Sequence, residues 1–379
     1  MSFEIDQTGI YWIVVAGIFL LSFTVQMFYY LYFFLRLTIH RYSDTIVSSG
    51  KPVSVIICAR NEANNLENNL PYILEQDYPD YEVIVVNDCS EDHTEEVLAR
   101  LKEKYSNLRS TILKKDVKFT HGKKLALTIG IKSALYEYLL LTDADCRPSS
   151  PLWISQMQKH FVPPNEIVLG YGSYERKPGL LNKLLRFDTF FIALQYLSFA
   201  LAGFPYMGVG RNLAYKRSLF FENKGFASHL KLESGDDDLF INQVASKENT
   251  EVEFSHLAHT CSVPPESWAE WYGQKRRHLT TGMHYSRSTR FLLGMEMISR
   301  LLFYISFIML IFSQVYILYI IGLFLIRLTT SVLILNSGMN RLNEKNLLLF
   351  SPIFDIFIFL FNTFCVASNL IFQKRSRWR

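Results

Sequence analysis

Two aspartates one residue apart offer the first chemistry in this sequence. Asp143 and Asp145 follow the short apolar run Tyr138–Thr142, which is typical of a buried strand. Two carboxylates at a strand end can share a hard divalent cation, and such a cation can bridge the oxygens of a diphosphate. The spacing therefore predicts a Mg²⁺ or Mn²⁺ site at Asp143 and Asp145, with a solvated turn as the alternative.

Two further charged clusters lie elsewhere in the chain. Asp236, Asp237 and Asp238 precede a helical run, and three adjacent acids there indicate either a catalytic base or a helix cap. Lys123 and Lys124 open another predicted helix, where they either face a phosphate or form a solvated helix start. Both clusters are candidates for a site that handles anions and protons.

An aspartate and a basic run complete the candidates. Asp88 closes a second predicted strand, where it contacts the base of a nucleotide, caps the next helix, or does both. The run from Gln274 through Arg277 to His278 follows an aromatic stretch that includes Trp268 and Trp271. It is either a cationic clamp on a diphosphate or a basic helix at a membrane surface.

Strands and helices alternate in the middle of the chain, and this order can bring the candidates together. Such alternation predicts an α/β sheet with a parallel core, whose ligands bind at the carboxyl ends of the strands. That edge would receive Ala59–Glu62, Asn87 with Asp88, and Asp143 with Asp145. The predicted strands are Pro52–Cys58, Tyr81–Val86, Ser110–Leu113, Tyr138–Thr142 and Ile167–Tyr171, and the predicted helices are Asn61–Glu75, Ser90–Lys104 with Ser90 as N-cap, and Lys123–Leu135.

Composition indicates a membrane protein. The 379 residues have a mean hydropathy of +0.11 and only 20% charged residues. The net charge of +4 lies largely beside the apolar stretches, so we predict no nucleic-acid partner. Five cysteines show no ligand spacing, which argues against a zinc site or a disulfide framework.

Apolar runs near both ends predict membrane-spanning helices. Gly9–Leu35 carries no charge over 27 residues and is followed by Arg36, His40 and Arg41, which favours a retained signal anchor with the middle of the chain in the cytoplasm. Toward the C-terminus two or three spans fit, over Leu301–Ile326, Leu328–Asn340 and Ile356–Gln373.

The side of the C-terminal tail depends on how often the chain crosses. One crossing within 291–336 places the basic tail, residues 374–377, inside, whereas a tight hairpin near Ser313 and Gln314 places the loop around Arg341 inside and the tail outside. Amphipathic stretches between residues 266 and 300 are expected to lie on the bilayer surface.

Taken together, these residues resemble the membrane-bound family 2 glycosyltransferases, which include cellulose, hyaluronan and poly-N-acetylglucosamine synthases and ceramide glucosyltransferase. The likeness runs from Val53 to His278. Ser54–Glu62 resembles the strand and loop that hold the nucleotide, Asp88 the aspartate that contacts the base, and Asp143 with Asp145 the metal-binding DxD motif.

The second half of the likeness concerns the acceptor and the base. Met207–Asn212 resembles the acceptor-side segment, and Gly235–Leu239 the segment that bears the catalytic base. In this register Asp236 is the base, Gly235 replaces the usual acid, and a shift of one residue would make Asp237 the base. Gln274 and Arg277 fit the QxxRW motif, but His278 stands at the tryptophan position, which argues against processive synthesis.

The resemblance implies a GT-A fold, a nucleotide-sugar donor that is usually UDP-linked, and inversion at the anomeric carbon. It implies the following sites: Asp236 and Asp237 for catalysis; Ala59, Arg60, Asn61, Glu62, Asp88, Lys123, Asp143, Gln274 and Arg277 for the donor; Gly210, Arg211, Asn212, Trp271 and His278 for the acceptor; and Asp143 and Asp145 for Mg²⁺ or Mn²⁺.

These expectations define a domain order and three functions. The predicted order is an anchor over 1–45, a cytoplasmic GT-A domain over 46–265, an interfacial segment over 266–298 and transmembrane helices with a basic tail over 299–379. The favoured function is an inverting glycosyltransferase of the inner membrane that acts on a lipid or lipid-linked glycan acceptor. A processive polysaccharide synthase and a non-catalytic nucleotide-binding membrane protein are the alternatives.

Overall fold

The structure is a computed structural model that describes residues 7–41, 50–114, 122–232, 234–314 and 316–371. The basic tail, residues 374–377, lies outside these ranges. The described strands are β1 Val53–Ala59, β2 Tyr81–Asp88, β3 Leu108–Leu113, β4 Tyr138–Asp143, β5 Cys146–Pro148, β6 Ile167–Gly170, β7 Gly172–Tyr174, β8 Leu213–Lys216, β9 Thr250–Glu253 and β10 Thr260–Ser262.

Each helix predicted for the middle of the chain is present, but the candidate span Leu301–Ile326 is divided after Ser313 between two of the described helices. The described helices are α1 Gln7–Phe28, α2 Leu35–Ile39, α3 Ala63–Leu74, α4 Thr94–Lys104, α5 Lys123–Ser133, α6 Trp153–Gln158, α7 Leu180–Leu201, α8 Arg217–Glu222, α9 Asp238–Val244, α10 Trp268–His278, α11 Arg287–Ser313, α12 Ile317–Arg341 and α13 Ser351–Ile371. A π-helical segment, Tyr29–Phe34, joins α1 to α2.

The main sheet has the strand order β3-β2-β1-β4-β8-β6-β9 among the described residues. β1 is buried along its whole length and β2 along nearly all of it, because helices cover both faces of the sheet. Both strands are rich in β-branched residues, which is typical of strands buried on both faces. β1 to β4 are parallel, as predicted. We refer to residues 53–262 as the sheet domain.

Beyond this parallel core, the sheet also contains an antiparallel strand. β8 pairs antiparallel with both β4 and β6. β8 is antiparallel because it begins at Leu213, which lies opposite Leu141 close to the carboxyl end of β4. From there the strand can only run toward the opposite edge of the sheet. The reversal brings the residues just before β8 to the same edge as Asp143.

A second, three-stranded sheet has the order β5-β10-β7 and was not predicted. Each of its strands is three residues long, too short for a period-two pattern to be recognised in the sequence. Cys261 pairs with Arg147 on one side and with Ser173 on the other. The first strand of this small sheet, β5, begins directly after Asp145.

The start of α4 corrects another prediction. The helix begins at Thr94, not at Ser90, because the Asp92 carboxylate accepts the backbone N–H groups of Thr94 and Ala63, each at 3.1 Å. Ser90 instead accepts the backbone N–H of Asn61 at 2.9 Å. Residues 90–93, which were expected to be helical, therefore belong to the β2–α4 loop and connect it to the β1–α3 loop by hydrogen bonds.

Three long helices form a bundle beside the sheet domain. α1 and α11 are antiparallel, since Phe19 stacks on Phe303 at 5.1 Å between ring centroids and the Tyr29 hydroxyl donates to the carbonyl of Leu292 at 2.6 Å. α12 returns from the turn at Gln314. The structure thus contains the tight hairpin that the sequence left as one of two arrangements.

Helix α7 is apolar and long enough to cross a membrane, yet it packs between the sheet and the bundle. Its Tyr196 hydroxyl donates to the carbonyl of Gly170 in β6 at 2.5 Å. Farther along, Phe199 stacks on Phe33 at 4.2 Å. Contacts with the sheet on one side and with the bundle on the other explain why most of this apolar helix is buried inside the protein.

Candidate active site

The carboxyl ends of β1, β2 and β4 lie side by side at one edge of the sheet. Ala59 is in register with Asn87, and Cys58 with Asp143. The three polar clusters predicted from separate parts of the sequence therefore do meet. Asp88, the last residue of β2, is fully buried there.

The loops after β1 and β2 hold each other in place. Asn61 adopts a left-handed conformation (φ 56°), and its side-chain oxygen accepts the backbone N–H of Glu91 at 2.8 Å. The Glu62 backbone N–H donates to the Thr94 hydroxyl at 3.0 Å. Burial raises the pKa of Glu62 to about 7, with Asp145 and Asp143 adding to the shift, so this predicted donor residue lies close to the paired acids.

Asp143 and Asp145 offer two oxygen ligands at this edge. Their carboxylates and the Cys146 thiol lie within 4.8 Å of one another. Burial raises the pKa of the Cys146 thiol well above its ordinary value, which leaves a neutral sulfur that suits a hard cation poorly. Burial, helped by Asp143, also raises the pKa of Asp145 to about 6. The two carboxylates fit Mg²⁺ or Mn²⁺, as the sequence predicts.

Lys123 joins this pair of acids to the acids before α9. Its ammonium lies 2.8 Å from Asp143 and 3.1 Å from Asp236. Burial opposes the charge, but the carboxylates of Asp143, Asp236 and Asp237 hold the pKa of Lys123 well above its ordinary value. The solvated helix start is therefore wrong for Lys123.

The three consecutive acids have three different environments. Burial opposes ionisation of Asp236, but Lys123 outweighs it and lowers the pKa of Asp236. Asp237 accepts the backbone N–H groups of Gly210 and Asp238, each at 2.7 Å, and so caps α9. Burial, with both neighbouring acids, raises the pKa of Asp237 to about 7.

Asp238 is held away from the edge. Its carboxylate accepts hydrogen bonds from the hydroxyls of Thr281 and Tyr285, the latter at 2.7 Å. These contacts tie α9 to the segment that precedes α11. Thr281 and Tyr285 were not identified from the sequence, where no motif distinguishes them from other hydroxyl residues.

Gly235 explains a departure from the family pattern. Its φ is +99°, a region that L side chains rarely adopt, and a Cβ there would come within 2.5 Å of the Leu239 side chain. An acid at this position would need a different backbone. The bend at Gly235 directs the chain into Asp236.

Lys124 turns away from the acids and binds backbone instead. Its ammonium donates to the carbonyls of His229, Leu232 and Ser234 at 2.7, 2.9 and 2.7 Å, and the residue is only 5% exposed. Neither a phosphate contact nor a solvated helix start describes it. Lys124 instead secures the segment that leads into Gly235.

The segment before β8 reaches the same edge. Arg211 donates to the Ser262 hydroxyl at 3.1 Å and lies 4.5 Å from the Tyr174 ring centroid, so the small sheet holds its guanidinium. Asn212 is completely buried, accepts from the Trp153 indole at 3.0 Å and donates to two backbone carbonyls. Its contacts are those of the scaffold, and its acceptor role stays a prediction.

The residues of α10 are divided between the site and the bundle. Gln274 donates to the Tyr174 hydroxyl at 3.0 Å and so lies near Arg211. Trp271 is only 1% exposed and stacks on Phe361 of α13 at 4.3 Å. Arg277 is half-buried and His278 is exposed at the end of the helix. The acceptor roles of Trp271 and His278 stay predictions.

A groove on the described surface lies outside this cluster. Its volume is about 450 Å³, and it runs between the small sheet and the loop after α12, with Arg147, His259 and Asn343 among its lining residues. A smaller pocket is lined by Lys123, Asp143, Asp236, Asp237 and Gly210. The acids therefore face the smaller, more enclosed space.

Comparison with known proteins gives a family and two groups of relatives. Residues 54–222 match the family described as Glycosyl transferase family 2. Poly-beta-1,6-N-acetyl-D-glucosamine synthase of Staphylococcus aureus (strain MSSA476) is 27% identical over 178 residues, 46% of this chain and 39% of that synthase. The synthase of the same name from Staphylococcus epidermidis is 33% identical over 93 residues, 24% of this chain and 21% of that one. The match spans well under half the length of these relatives.

Among solved structures, the chain resembles a mannosyltransferase from Pyrobaculum calidifontis in complex with GDP-Man and Mn²⁺. The two share 18% identity with a TM-score of 0.58, over 88% of this chain and 99% of that one. At this identity the likeness shows the fold. The predicted α/β class of GT-A type is confirmed.

Proposed function

We propose that the protein, whose residues 54–222 match Glycosyl transferase family 2, transfers a sugar from a nucleotide-sugar donor to a lipid or lipid-linked acceptor. By the family resemblance, the donor is UDP-linked and the transfer inverts the anomeric carbon. The observation that carries this proposal is the meeting of Asp143, Lys123 and Asp236 at the carboxyl edge of the sheet.

The donor half of the reaction requires neutralisation of a leaving diphosphate. Asp143 and Asp145 would hold Mg²⁺ or Mn²⁺, and a bound cation supplies Lewis-acid stabilisation of the diphosphate charge. Lys123 adds a fixed positive charge beside them, and Gln274 and Arg277 are proposed to contact the diphosphate from α10. Asp88 and the loop 59–62 are proposed to hold the nucleoside.

The acceptor half requires one base. With a charge-stabilised leaving group, no protein acid is needed, and a carboxylate must only remove the proton from the attacking hydroxyl. Asp236 suits this role, since Lys123 keeps it ionised. Asp237 is the second candidate, although it also caps α9 and holds Gly210.

A lipid acceptor is favoured by the interior of the bundle. Phe19, Phe303 and Leu310 fill the space between α1 and α11, and each is at most 1% exposed. Polar side chains inside the bundle also contact one another, since Arg327 donates to Gln26 at 3.0 Å. A bundle packed in this way suits an acceptor that remains in the lipid better than a polymer that must pass through a channel.

Processive polysaccharide synthesis is the second candidate function. It is favoured by the relatives, which are named poly-beta-1,6-N-acetyl-D-glucosamine synthases. Because the match covers only 39% and 21% of those synthases, their activity is kept as a separate proposal. A non-catalytic nucleotide-binding role is the third.

Product analysis separates the three. Full-length protein in lipid nanodiscs would be incubated with individual radiolabelled UDP- and GDP-sugars and a membrane lipid extract, with and without Mn²⁺. We expect lipid-extractable product one to a few sugars larger than the acceptor, and none with the Asp145→Asn variant. A water-soluble polymer of many sugars would support the synthase, and donor binding without turnover across the donor panel would support the non-catalytic role.

A further inference from the structure

Helix α13 is apolar and long enough to cross a membrane, but its contacts hold it beside a charged helix. We propose that α13 lies along the bilayer surface next to the sheet domain and inserts its exposed apolar face among the acyl chains of that leaflet. The described helices that cross the bilayer are then α1, α11 and α12. We call the side with the sheet domain the near side and the side with the α11–α12 turn the far side.

Aromatic contacts pair the first half of α13 with α10. Phe357 meets Trp268 with ring centroids 6.4 Å apart, and one turn later Phe361 stacks on Trp271 at 4.3 Å. The two helices therefore run in the same direction, side by side, rather than crossing at a single point.

Polar contacts continue the pairing to the end of α13. The hydroxyls of Ser368 and Tyr272 are 2.6 Å apart. Asn369 accepts from the Arg276 guanidinium at 2.7 Å and donates to the Arg276 carbonyl at 2.9 Å. The C-terminal end of α13 is thus fixed to a basic segment, where a helix that crossed the bilayer would have reached the opposite surface.

The position of α10 is set by the sheet domain. Lys275 forms an ion pair with Asp188 of α7 at 2.6 Å, and Gln274 binds Tyr174 of the small sheet. With Glu270 and three consecutive basic residues, Lys275, Arg276 and Arg277, α10 is too charged to lie within the hydrocarbon. Because α13 lies alongside α10 over the whole length of α10, it must lie at the same depth relative to the bilayer.

The beginning of α13 is fixed on the near side as well. In the loop before it, Glu344 accepts hydrogen bonds from Arg186 of α7, the Nε contact being 3.0 Å, and from the Tyr171 hydroxyl at 3.0 Å. Both ends of α13 therefore lie beside the sheet domain. A 21-residue helix that crossed would separate its ends by roughly 30 Å along the membrane normal, at 1.5 Å per residue.

An ion pair joins α13 to the bundle without requiring it to cross. Asp355, near the start of α13, accepts a hydrogen bond from Arg300 of α11, and Arg327 of α12 lies 3.5 Å from it. Both arginines are long enough to extend along their helices toward the near side. Asp355 thus anchors the first turns of α13 to the crossing helices.

The two faces of α13 match a helix lying in the interface. Ile353, Leu360 and Phe364 are 68%, 57% and 60% exposed, whereas Phe354 and Ile358 on the other face are buried against the protein. Apolar side chains on the exposed face fit the acyl region, and charged α10 borders it on the headgroup side. The occupant of this face is therefore the lipid of the near leaflet.

The side of the C-terminus tests the proposal directly. Protease-cleavable tags would be placed after Arg379 or in the turn after Gln314 of the full-length protein, and sealed vesicles of known orientation would be treated with protease from outside. We expect the two tags to be cut in opposite vesicle orientations. Cleavage of both in the same orientation would overturn the proposal. If the turn insertion prevents folding, an N-terminal tag replaces it, because α1 starts on the far side.

Depth measurements give a second, independent test. Spin labels at Ile353→Cys and Leu360→Cys would be compared by their collision rates with oxygen and with a water-soluble nickel chelate, after subtraction of the signal from protein without the added cysteine. We expect equal depths, whereas a crossing α13 would place residue 360 about 10 Å deeper. Leu318→Cys and Leu325→Cys on α12 are the matched pair that should differ. Equal inaccessibility of both α13 labels to both probes would indicate a protein partner, such as a second copy, and would also overturn the proposal.

Discussion

Lys124 should control turnover although we place it in contact with neither donor nor acceptor. Its ammonium donates to the carbonyls of His229, Leu232 and Ser234, immediately before the bend that leads to Asp236. The Lys124→Met substitution keeps much of the volume and removes all three hydrogen bonds. The segment before Asp236 would then be free to leave the position in which Lys123 contacts that carboxylate.

The expected size of the effect follows from the contacts. Hydrogen bonds to a charged group contribute about 1.5–3 kcal/mol each, which gives roughly 4.5–9 kcal/mol for three. The three bonds share one ammonium and are not additive, so we expect a loss of about 2–4 kcal/mol. If that free energy holds Asp236 in place, kcat falls roughly 30-fold to 700-fold, since about 1.4 kcal/mol corresponds to a factor of ten.

The assay separates positioning from binding and from folding. Initial rates over a range of donor concentrations should show a large loss in kcat with the donor KM changed less than about threefold, because Asp143, Asp145 and Asp88 keep their surroundings. Lys132→Met, at an exposed lysine of the same helix, is the matched control. Lys124→Arg should restore part of the activity. A Lys124→Met enzyme whose kcat equals that of Lys132→Met would refute this reasoning.

Three other outcomes follow from the site and the core. Asp145→Asn should abolish turnover and metal-dependent donor binding with the fold unchanged by circular dichroism, and chelation of divalent cations should do the same to the unmodified enzyme; undiminished activity would exclude the metal site. Asp236→Asn should lower kcat by roughly 10²–10⁴ with donor binding intact, and a loss confined to Asp237→Asn would move the base by one residue. Burial alone would raise the pKa of Glu253, but hydrogen bonds from His160 and other neighbours lower it to about 2. This buried carboxylate therefore contributes about 3 kcal/mol of stability at pH values above about 4.5, and that stability is lost as the pH falls toward 2. Glu253→Gln should remove that part of the acid dependence in thermal unfolding, and an unchanged dependence would contradict the assignment.

Much of the candidate site could be predicted because its residues lie at strand ends. The β-branched run of β1 and the apolar run of β4 mark buried strands, and parallel strands must present their carboxyl ends at one edge. Asp88 and Asp143 were therefore placed together without any knowledge of contacts. The acids at the start of α9, Asp236, Asp237 and Asp238, were recognised because three adjacent like charges repel one another and are unfavourable unless they serve a function.

The separate roles of neighbouring residues could not be predicted. Lys123 and Lys124 are chemically identical, but successive residues on a helix point about 100° apart, so one reaches Asp236 and the other the backbone before it. The same holds for Asp236 and Asp237, whose pKa values shift in opposite directions. Burial and neighbouring charges, which depend on distant parts of the chain, decide these differences.

The sequence by itself determined that this chain has an α/β domain between apolar ends, because hydrophobic periodicity and run length are local properties. It did not determine which apolar helices cross a membrane. α7 and α13 have the length and hydropathy of spans, yet α7 is packed against β6 and α13 lies beside α10. Hydropathy measures only the tendency of a segment to leave water, whereas the choice between lipid and protein as its surroundings depends on the contacts that tertiary structure provides.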